Sequence, residues 1–481
     1  MKKNKKQMKA NYNRREFLKL AGAGASTFIL GSFLNCQTTP PKKLPNIIII
    51  LTDDQGYADI SSYNAKGIQT PNLNRMAEEG IRFTDFYVAS SVCSPSRAAL
   101  LTGCYPQRVG IPDVLAPPGP PWTEGRTNIG LNNSETTIAE MLKPLGYTTA
   151  CFGKWHLGHL PEFLPTRHGF DEYFGLPYSN DMIPEDYPPL PLMEGEKIIQ
   201  YNPDQSQLTT WYTERAIKFI EKNKDHPFFL YVPHSMPHIP IAVSDKFKGK
   251  SGQGLYGDVI MEIDWSVGEI LKKMAQLKLE DNTLVIFFSD NGPWLEYGNH
   301  AGSALPLREG KMTTFEGGQR VPCIMRWSGK IPAGSVCCEM ATSMDILPTI
   351  SAITGAALPA VKIDGKDARS LWGGKPDAKT LYEAVYFYYG NELQGIRSGK
   401  WKLYLPHTYQ TPVIIGKDGE RGKMEEVKLP LSLYDLEQDI SEKNNVAEQY
   451  PEIVERLTQM AKAFDTDLKQ NLRPVGRVEN Y

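Results

Sequence analysis

The sequence predicts an α/β protein built on a doubly wound, mostly parallel sheet, with a smaller second unit following it. Three observations carry that expectation. Four apolar runs of strand length, rich in β-branched and aromatic residues, each stop at a polar cluster. Helical patterns lie between these runs, as in a doubly wound fold. The chain has 481 residues, which is too long for one ordinary domain.

Residues 1 to about 42 read as an address rather than as structure. Lys2, Lys3, Lys5, Lys6 and Lys9 lead into Asn13-Arg14-Arg15-Glu16-Phe17-Leu18-Lys19, and an apolar run broken by glycines continues from Leu20 to Leu34. The run is too short to span a bilayer comfortably and too glycine-rich for a core helix. The paired arginines resemble a bacterial twin-arginine export signal, which implies the twin-arginine export machinery as a partner. The alternative is an ordinary secretory signal with incidental arginines. Cys36 closes the run and offers a lipid-anchoring site, although Phe33-Leu34-Asn35 lacks the small residue expected before a lipidated cysteine. Either way, the mature protein is expected to be exported and to work in the periplasm.

The four runs come next. Asn46 to Leu51 ends in Thr52-Asp53-Asp54, and Tyr147 to Phe152 ends in Gly153-Lys154-Trp155-His156. Phe228 to Val232 ends in Pro233-His234-Ser235-Met236-Pro237-His238, and Thr283 to Phe288 ends in Ser289-Asp290-Asn291-Gly292. Continuous apolar runs fit strands buried on both faces. In such sheets ligands gather beyond the carboxyl ends of the strands, where these polar clusters fall. Helical patterns cover Asn72 to Gly80, Thr136 to Gly146, Leu208 to Lys222 and Tyr256 to Leu277. The order of the strands is not legible from this pattern.

Asp53, Asp54, Asp290 and Asn291 place four oxygen-bearing side chains at two strand ends. Crowded carboxylates call for a cation, and all-oxygen ligation favours Ca²⁺ or Mg²⁺ over zinc. The bland alternative is that each pair caps a turn or helix. The segment from Cys93 to Gly103 reads as a helix with Ser94 as N-cap, Pro95 at its first position and Gly103 as its stop. That places Cys93 at the positive helix end, with Arg97 on the same side.

Cys93-Ser94-Pro95-Ser96-Arg97, followed by Leu101-Thr102-Gly103, resembles the signature of the type I sulfatases of the alkaline phosphatase superfamily. The resemblance extends in order through Asp53-Asp54, Gly153-Lys154-Trp155-His156-Leu157-Gly158, Ser289-Asp290-Asn291-Gly292, Arg308-Glu309-Gly310-Lys311 and Phe315-Glu316-Gly317-Gly318. Gly395 to Leu403 and Leu433 to Asp439 resemble the family's small C-terminal subdomain. The resemblance implies an alkaline-phosphatase-like catalytic domain at 43–375, with a large mixed sheet between helices. It implies an α+β subdomain with an antiparallel sheet at 376–481. It further implies that Cys93 is oxidised to Cα-formylglycine by a formylglycine-generating enzyme. Asp53, Asp54, Asp290, Asn291 and the modified residue 93 then hold Ca²⁺, or Mg²⁺ in its place.

Within that resemblance, Arg97, Lys154 and Lys311 neutralise the sulfate and the nucleophile. His238 protonates the leaving alcohol, and His156 takes a proton from the second hydroxyl of hydrated residue 93 to expel sulfate. His238-Ile239-Pro240 fits the family's His-x-Pro spacing and His234-Ser235-Met236 does not, so His238 is preferred. His300 resembles a loop residue that contacts the sugar, its alternative being loop stabilisation. Arg308 is read as a surface partner of Glu309 or Glu316. The residues around Trp122, Trp211 and Tyr386 to Tyr389 are read as core.

Composition narrows the alternatives. A formal net charge of −2 gives no global attraction for nucleic acid. Seven cysteines make no clean disulfide framework, and Cys337 and Cys338 are read as free thiols. The stretches 112–133 and 184–201, rich in proline and glycine, are read as loops that wall the substrate pocket. The expected substrate is a sulfated carbohydrate. The competing readings are a phosphate or phosphonate ester hydrolase, a silent sugar-binding relative, and a thiolate enzyme using Cys93. The tail carries an amphipathic helix from Pro451 to Phe464, expected to pack on the C-terminal sheet.

Overall fold

A computed structural model describes residues 43–375 and 377–479. The export-signal residues Arg14 and Arg15 and the lipidation candidate Cys36 lie outside the described residues. No helix among the described residues is long and apolar enough to cross a membrane.

The main sheet has ten strands. In chain order they are β1 (Asn46–Thr52), β2 (Ile81–Phe83), β3 (Thr148–Phe152), β4 (Glu172–Gly175), β5 (Pro191–Glu194), β6 (Lys197–Tyr201), β7 (Phe228–Pro233), β8 (Thr283–Ser289), β9 (Cys323–Arg326) and β10 (Ser335–Cys337). Their spatial order is β10-β2-β9-β8-β1-β7-β3-β4-β5-β6. The block β8-β1-β7-β3-β4 is parallel, and antiparallel strands join on both flanks.

Strand β1 shows why the centre is parallel and doubly covered. Ile47, Ile49 and Leu51 enter one core with Phe229, Tyr231, Ile286 and Phe288. Ile48 and Ile50 enter the opposite core with Leu230, Val232, Val285 and Phe287. Each such burial stabilises by about 1.5–3 kcal/mol, so both faces of this strand contribute. The register places the polar clusters side by side: Thr52 pairs with Ser289 and Leu51 with Pro233. Strands β1, β7 and β8 therefore end level, and the residues just beyond them meet.

The helices include α1 (Pro71–Glu78), α2 (Cys93–Thr102), α3 (Ile138–Leu142), α4 (Leu208–Lys222) and α5 (Gly254–Gln276). The pattern at Thr136 to Gly146 yields only the short α3, because Pro144 turns the chain into a 3-10 turn at Lys143–Leu145. The expected loop at 184–201 is corrected. Its second half is the β5–β6 hairpin, in which Pro191 takes the first strand position, one that needs no ladder N–H.

A second sheet is antiparallel, with β11 (Val385–Tyr389), β12 (Glu392–Ser398), β13 (Trp401–Tyr404) and β16 (Ser432–Asp435) in that order. A separate hairpin, β14 (His407–Ile414) with β15 (Lys423–Leu429), projects between β13 and β16 in sequence. Helix α6 (Pro451–Gln470) lies on the sheet through Leu457 and Ala461, which pack with Ile396, Leu403 and Leu433. The core reading holds for Phe387 and Tyr388, while Trp211 is half-buried and packs against the core. It fails for Trp122 and Tyr389, which are 43% and 41% exposed. Cys337 and Cys338 are free thiols.

The segment carrying Lys311 is clasped by this second sheet. Lys402 Nζ donates to Thr314 O at 3.0 Å and to Glu316 Oε1 at 2.7 Å. Tyr404 donates to Thr314 O at 3.1 Å, and Glu442 accepts from the Glu316 amide at 2.9 Å. Arg320 and Tyr87 also bind Glu316, at 3.0 and 2.6 Å. Burial raises the Glu316 pKa, but Lys402, Arg320 and Arg397 outweigh it and hold the carboxyl well below the usual carboxylate range. The surface reading of Arg308 is corrected: it is half-buried, donates to Glu442 O at 2.8 Å and to Tyr409 at 3.0 Å, and lies over the Phe315 ring. Losing one partner of a buried ion cluster costs about 3–5 kcal/mol. Glu316→Gln should therefore lower unfolding stability by about that amount, read as a lowered denaturant midpoint at unchanged slope.

Candidate active site

The level strand ends bring Asp53 and Asp54 from β1 beside Asp290 and Asn291 from β8. All four are at most 3% exposed. The Asp54 amide donates to Asp290 Oδ1 at 3.2 Å, and Asn291 Nδ2 donates to Asp54 Oδ1 at 2.7 Å. The turn after β1 needs Asp54 in the left-handed region, with φ 63°. Such strain in a non-glycine residue persists only where neighbours fix it.

Three buried cations face the three carboxylates. Arg97 Nε and Nη2 donate to Asp290 Oδ2 at 3.0 and 2.7 Å, and Nη2 also reaches Asp53 Oδ2 at 3.1 Å. Its Nη1 donates to the carbonyl of Lys154 at 2.6 Å. Lys154 Nζ lies 2.5 Å from Asp53 Oδ2 and 2.8 Å from Ser179 Oγ. Lys311 Nζ donates to Asp54 Oδ2 at 2.8 Å and sits 4.3 Å from the Trp294 ring centre.

These contacts set the protonation states. Burial raises Asp53, yet Lys154, His238, Arg97 and Lys311 together hold it well below the usual carboxylate range. Burial and repulsion from Asp53 push Asp290 up to about 7. Such crowding is relieved by a cation. Two oxygens fit one: Asp53 Oδ1 and Asn291 Oδ1 are buried with no hydrogen-bond partner among the described residues. Asp53, Asp54 and His238 also bring one ligand atom each within 4.8 Å of one another. The donor set is mostly hard oxygen, as Ca²⁺ and Mg²⁺ prefer.

Helix α2 starts two residues earlier than expected. Its N-cap is Val92, extended and with no side-chain cap, and the Ser96 amide closes the first turn on Val92 O at 3.2 Å. Ser94 is instead engaged by the 112–116 loop, its Oγ accepting from the Leu115 amide at 3.1 Å. Cys93 therefore sits inside the first helical turn, 3% exposed. Burial pushes its thiol up to about 11, against the pull of Lys154 and Lys311. A thiol of that kind is protonated at neutral pH, which counts against the thiolate reading.

The two histidines differ in what they leave free. His156, held at φ 62°, has Nε2 2.8 Å from the Leu115 carbonyl, so Nε2 carries the proton. Its buried Nδ1 has no partner among the described residues. Burial, then Lys154 and Arg97, hold its pKa well below the usual histidine value. His238 donates from Nδ1 to Ile239 O at 2.6 Å and turns Nε2 toward Asp54 Oδ2 at 3.5 Å. Burial and Lys311 depress its pKa as well. His234 faces away, its Nε2 3.3 Å from Ser266 Oγ on α5.

Glycine is needed at two close approaches around this cluster. A Cβ on Gly153, at φ 147°, would lie 1.9 Å from Pro233 O, and one on Gly292 would lie 1.8 Å from Gly317 O. The first lets β3 deliver Lys154 beside β7. The second lets the Lys311 segment cross the end of β8. His300 is not brought into the cluster. It lies beside the 417–419 turn, where its neighbour Asn299 donates to Asp418 at 2.7 Å. Sequence reading missed Ser179, on Lys154, and Trp294, whose ring lies 5.5 Å from that of His238. The polar cluster Ser179-Asn180-Asp181 after aromatic β4 was the available signal, since it too follows a strand end.

Known proteins resemble this chain over most of its length. The Sulfatase family model matches residues 45–356, and the model for the C-terminal region of aryl-sulfatase matches residues 381–480. Arylsulfatase A of Bos taurus is 37% identical over 455 residues, covering 88% of this chain and 87% of the relative. N-acetylgalactosamine-6-sulfatase of Mus musculus is 40% identical over 376 residues, covering 75% and 72%. The crystal structure of Ps i-CgsB in complex with k-i-k-neocarrahexaose superimposes with a TM-score of 0.72 at 29% identity, covering 89% of this chain and 94% of that one.

The Cys93 environment has a direct check in protein that carries the unmodified thiol. Iodoacetamide at neutral pH should label exposed Cys338 and leave Cys93 unlabelled, as read by peptide mass spectrometry. Rapid labelling of Cys93 would contradict the raised pKa and the burial.

Proposed function

The chain belongs to the sulfatase family and is a sulfuric ester hydrolase, and on that premise we propose that it releases sulfate from a sulfated carbohydrate using a formylglycine at position 93 and a divalent metal. The observation that carries the reading is the balanced buried cluster. The carboxylates of Asp53, Asp54 and Asp290 face the cations of Arg97, Lys154 and Lys311, with residue 93 at a helix start beside them. With a cation relieving the crowding that raises Asp290, all three carboxylates would be ionised, and their three negative charges would balance the three cations. A divalent ion then makes the site positive by two, which suits one charge on a sulfate monoester and one on a nucleophilic oxygen.

Asp53, Asp54, Asp290 and Asn291 are the residues that would hold the metal, the free Oδ1 atoms of Asp53 and Asn291 among its ligands. We favour Ca²⁺, with Mg²⁺ the alternative. When bound, the metal supplies a Lewis acid for an oxygen of the sulfate and of residue 93. The hydrated aldehyde of formylglycine supplies two hydroxyls on one carbon, one to attack sulfur and one whose deprotonation expels sulfate.

The chain's own residues do the remaining work. Lys154 and Lys311 offer their ammonium groups to the sulfate oxygens, and Ser179 orients Lys154. Every guanidinium nitrogen of Arg97 meets a protein acceptor, so Arg97 braces the carboxylates and faces residue 93 from one helical turn away. His238 points Nε2 into the site with Nδ1–H held by Ile239 O, so that its imidazolium form, favoured by the negative charge of a bound sulfate ester, gives the Nε2 proton to the leaving alcohol. His156 is neutral, with its free Nδ1 the base that takes the proton from residue 93. Its Leu115 partner fixes the tautomer. The expected export to the periplasm is consistent with an extracellular polysaccharide as the source of substrate.

The deciding measurement is mass spectrometry of the tryptic peptide Phe83 to Arg97 from a host shown to modify a control sulfatase. An aldehyde at residue 93 is the expected result. An unmodified thiol there would overturn the nucleophile assignment. The acid assignment has its own test. His238→Ala should lose at least about a hundredfold in kcat on a substrate with a poor leaving group, while His234→Ala loses far less. The reverse ranking would exchange the two roles.

A further inference from the structure

We infer that Asp181 selects the sugar: its carboxylate accepts hydrogen bonds from the hydroxyl or acylamino groups of a neutral or N-acylated hexose sulfate and turns away sulfated uronic acids. This rests on the sulfatase reading above and specifies its substrate class. The backbone at Asp181 is pinned to proposed catalytic groups on its N-terminal side. Two residues earlier, Ser179 Oγ lies 2.8 Å from Lys154 Nζ. One residue earlier, Asn180 Nδ2 donates to the His238 carbonyl at 3.3 Å and reaches those of Ile239 and Pro240 at 3.4 Å. Gln205 locks the turn by donating to Asn180 O at 2.8 Å. Asp181 thus follows directly on two residues that hold the lysine expected to grip sulfate and the segment of the histidine expected to meet the leaving oxygen.

The side chain itself is unused. Asp181 is half-buried, and its Oδ1 is buried with no hydrogen-bond partner among the described residues. A carboxylate oxygen removed from water without a donor is costly, and a ligand that supplies the donor relieves that cost. Its charge acts on His238, on Tyr297 and on Tyr187, which lie on three separate segments. One of those segments carries Trp294, and another packs against Trp122 of a separate loop. Trp294 lies 4.9 Å from Tyr297 and 5.5 Å from His238, centre to centre, and exposed Trp122 lies 6.5 Å from Tyr187. Aromatic rings that cover C–H faces, around a carboxylate that accepts two donors, are what a polyhydroxylated ring requires. The same unneutralised charge repels a carboxylate on the substrate.

The test compares wild type with Asp181→Asn and Asp181→Ala on an aryl sulfate, a set of N-acetylhexosamine glycosides sulfated at different positions, and a sulfated hexuronate glycoside. Wild type should prefer an N-acetylhexosamine sulfate to the hexuronate. In both variants kcat/KM on the hexosamine sulfate should fall about 10–100-fold, clearly more than on the aryl sulfate. The hexosamine-to-uronate ratio should shrink at least about tenfold. Equal losses on all substrates would overturn the inference, because Asp181 would then act through His238 or through the fold. An unchanged ratio would overturn it as well. So would a wild-type enzyme that cleaves the aryl sulfate but no neutral or N-acylated hexose sulfate, with the sulfatase reading left standing. Failure of wild type to release sulfate from any substrate, the aryl ester included, would instead remove the reading on which the inference rests.

Discussion

The structure depends on holding three ionisable carboxyl groups together in the dry space beyond two parallel strands. Each such ion costs several kcal/mol to bury, and no single contact repays that. The fold meets the cost with a lattice of opposite charges drawn from separate places. Arg97 comes from helix α2, Lys154 from the turn after β3 and Lys311 from a segment that crosses the end of β8. Because each cation touches at least one carboxylate, displacing one element leaves an uncompensated charge in the others. The level ends of β1 and β8 are therefore a requirement of the electrostatics as well as of sheet geometry.

The lattice has a second layer. Lys311 lies in a stretch where Glu309 and Met312 both adopt positive φ. Conformations of that kind are held from outside, here by the antiparallel sheet. Lys402 and Tyr404 both bind the Thr314 carbonyl, and Glu442 binds the Glu316 amide. Around Glu316 the pattern of the site repeats, with Lys402, Arg320 and Arg397 shared among the carboxylates of Glu316, Glu442 and Asp85. The C-terminal sheet thus stiffens the base of Lys311, the lysine proposed to meet the sulfate, from outside the site. Family models cover both parts of the chain, at 45–356 and 381–480, in keeping with this dependence.

Much of the fold was legible because the signal was one of burial. The Ile-rich β1 and the strands β3, β7 and β8 are apolar on both faces, and only a sheet covered on both sides accepts such strands. Proline obscures that signal in two places: the β5–β6 hairpin reads as loop, and the α3 pattern runs too far, through Pro144. Trp122 reads as core on hydrophobicity alone, yet it is exposed, because a flat ring on a loop obeys no period that betrays its facing.

What the sequence by itself determined is the chemistry at each strand end: the Asp53-Asp54 and Asp290-Asn291 pairs, the Cys93 helix with Arg97, and Lys154 with His156. These are local, because a strand end and the residues after it are neighbours in the chain. Only the tertiary structure decided what each group does with its neighbours. It committed the donors of Arg97 to Asp53, Asp290 and the Lys154 carbonyl, left Nδ1 of His156 free, and turned His234 toward Ser266. It also brought Ser179 to Lys154 and set His300 against the 417–419 turn. Those outcomes depend on register, burial and contacts between segments tens to hundreds of residues apart, and distance along the chain carries no information about them.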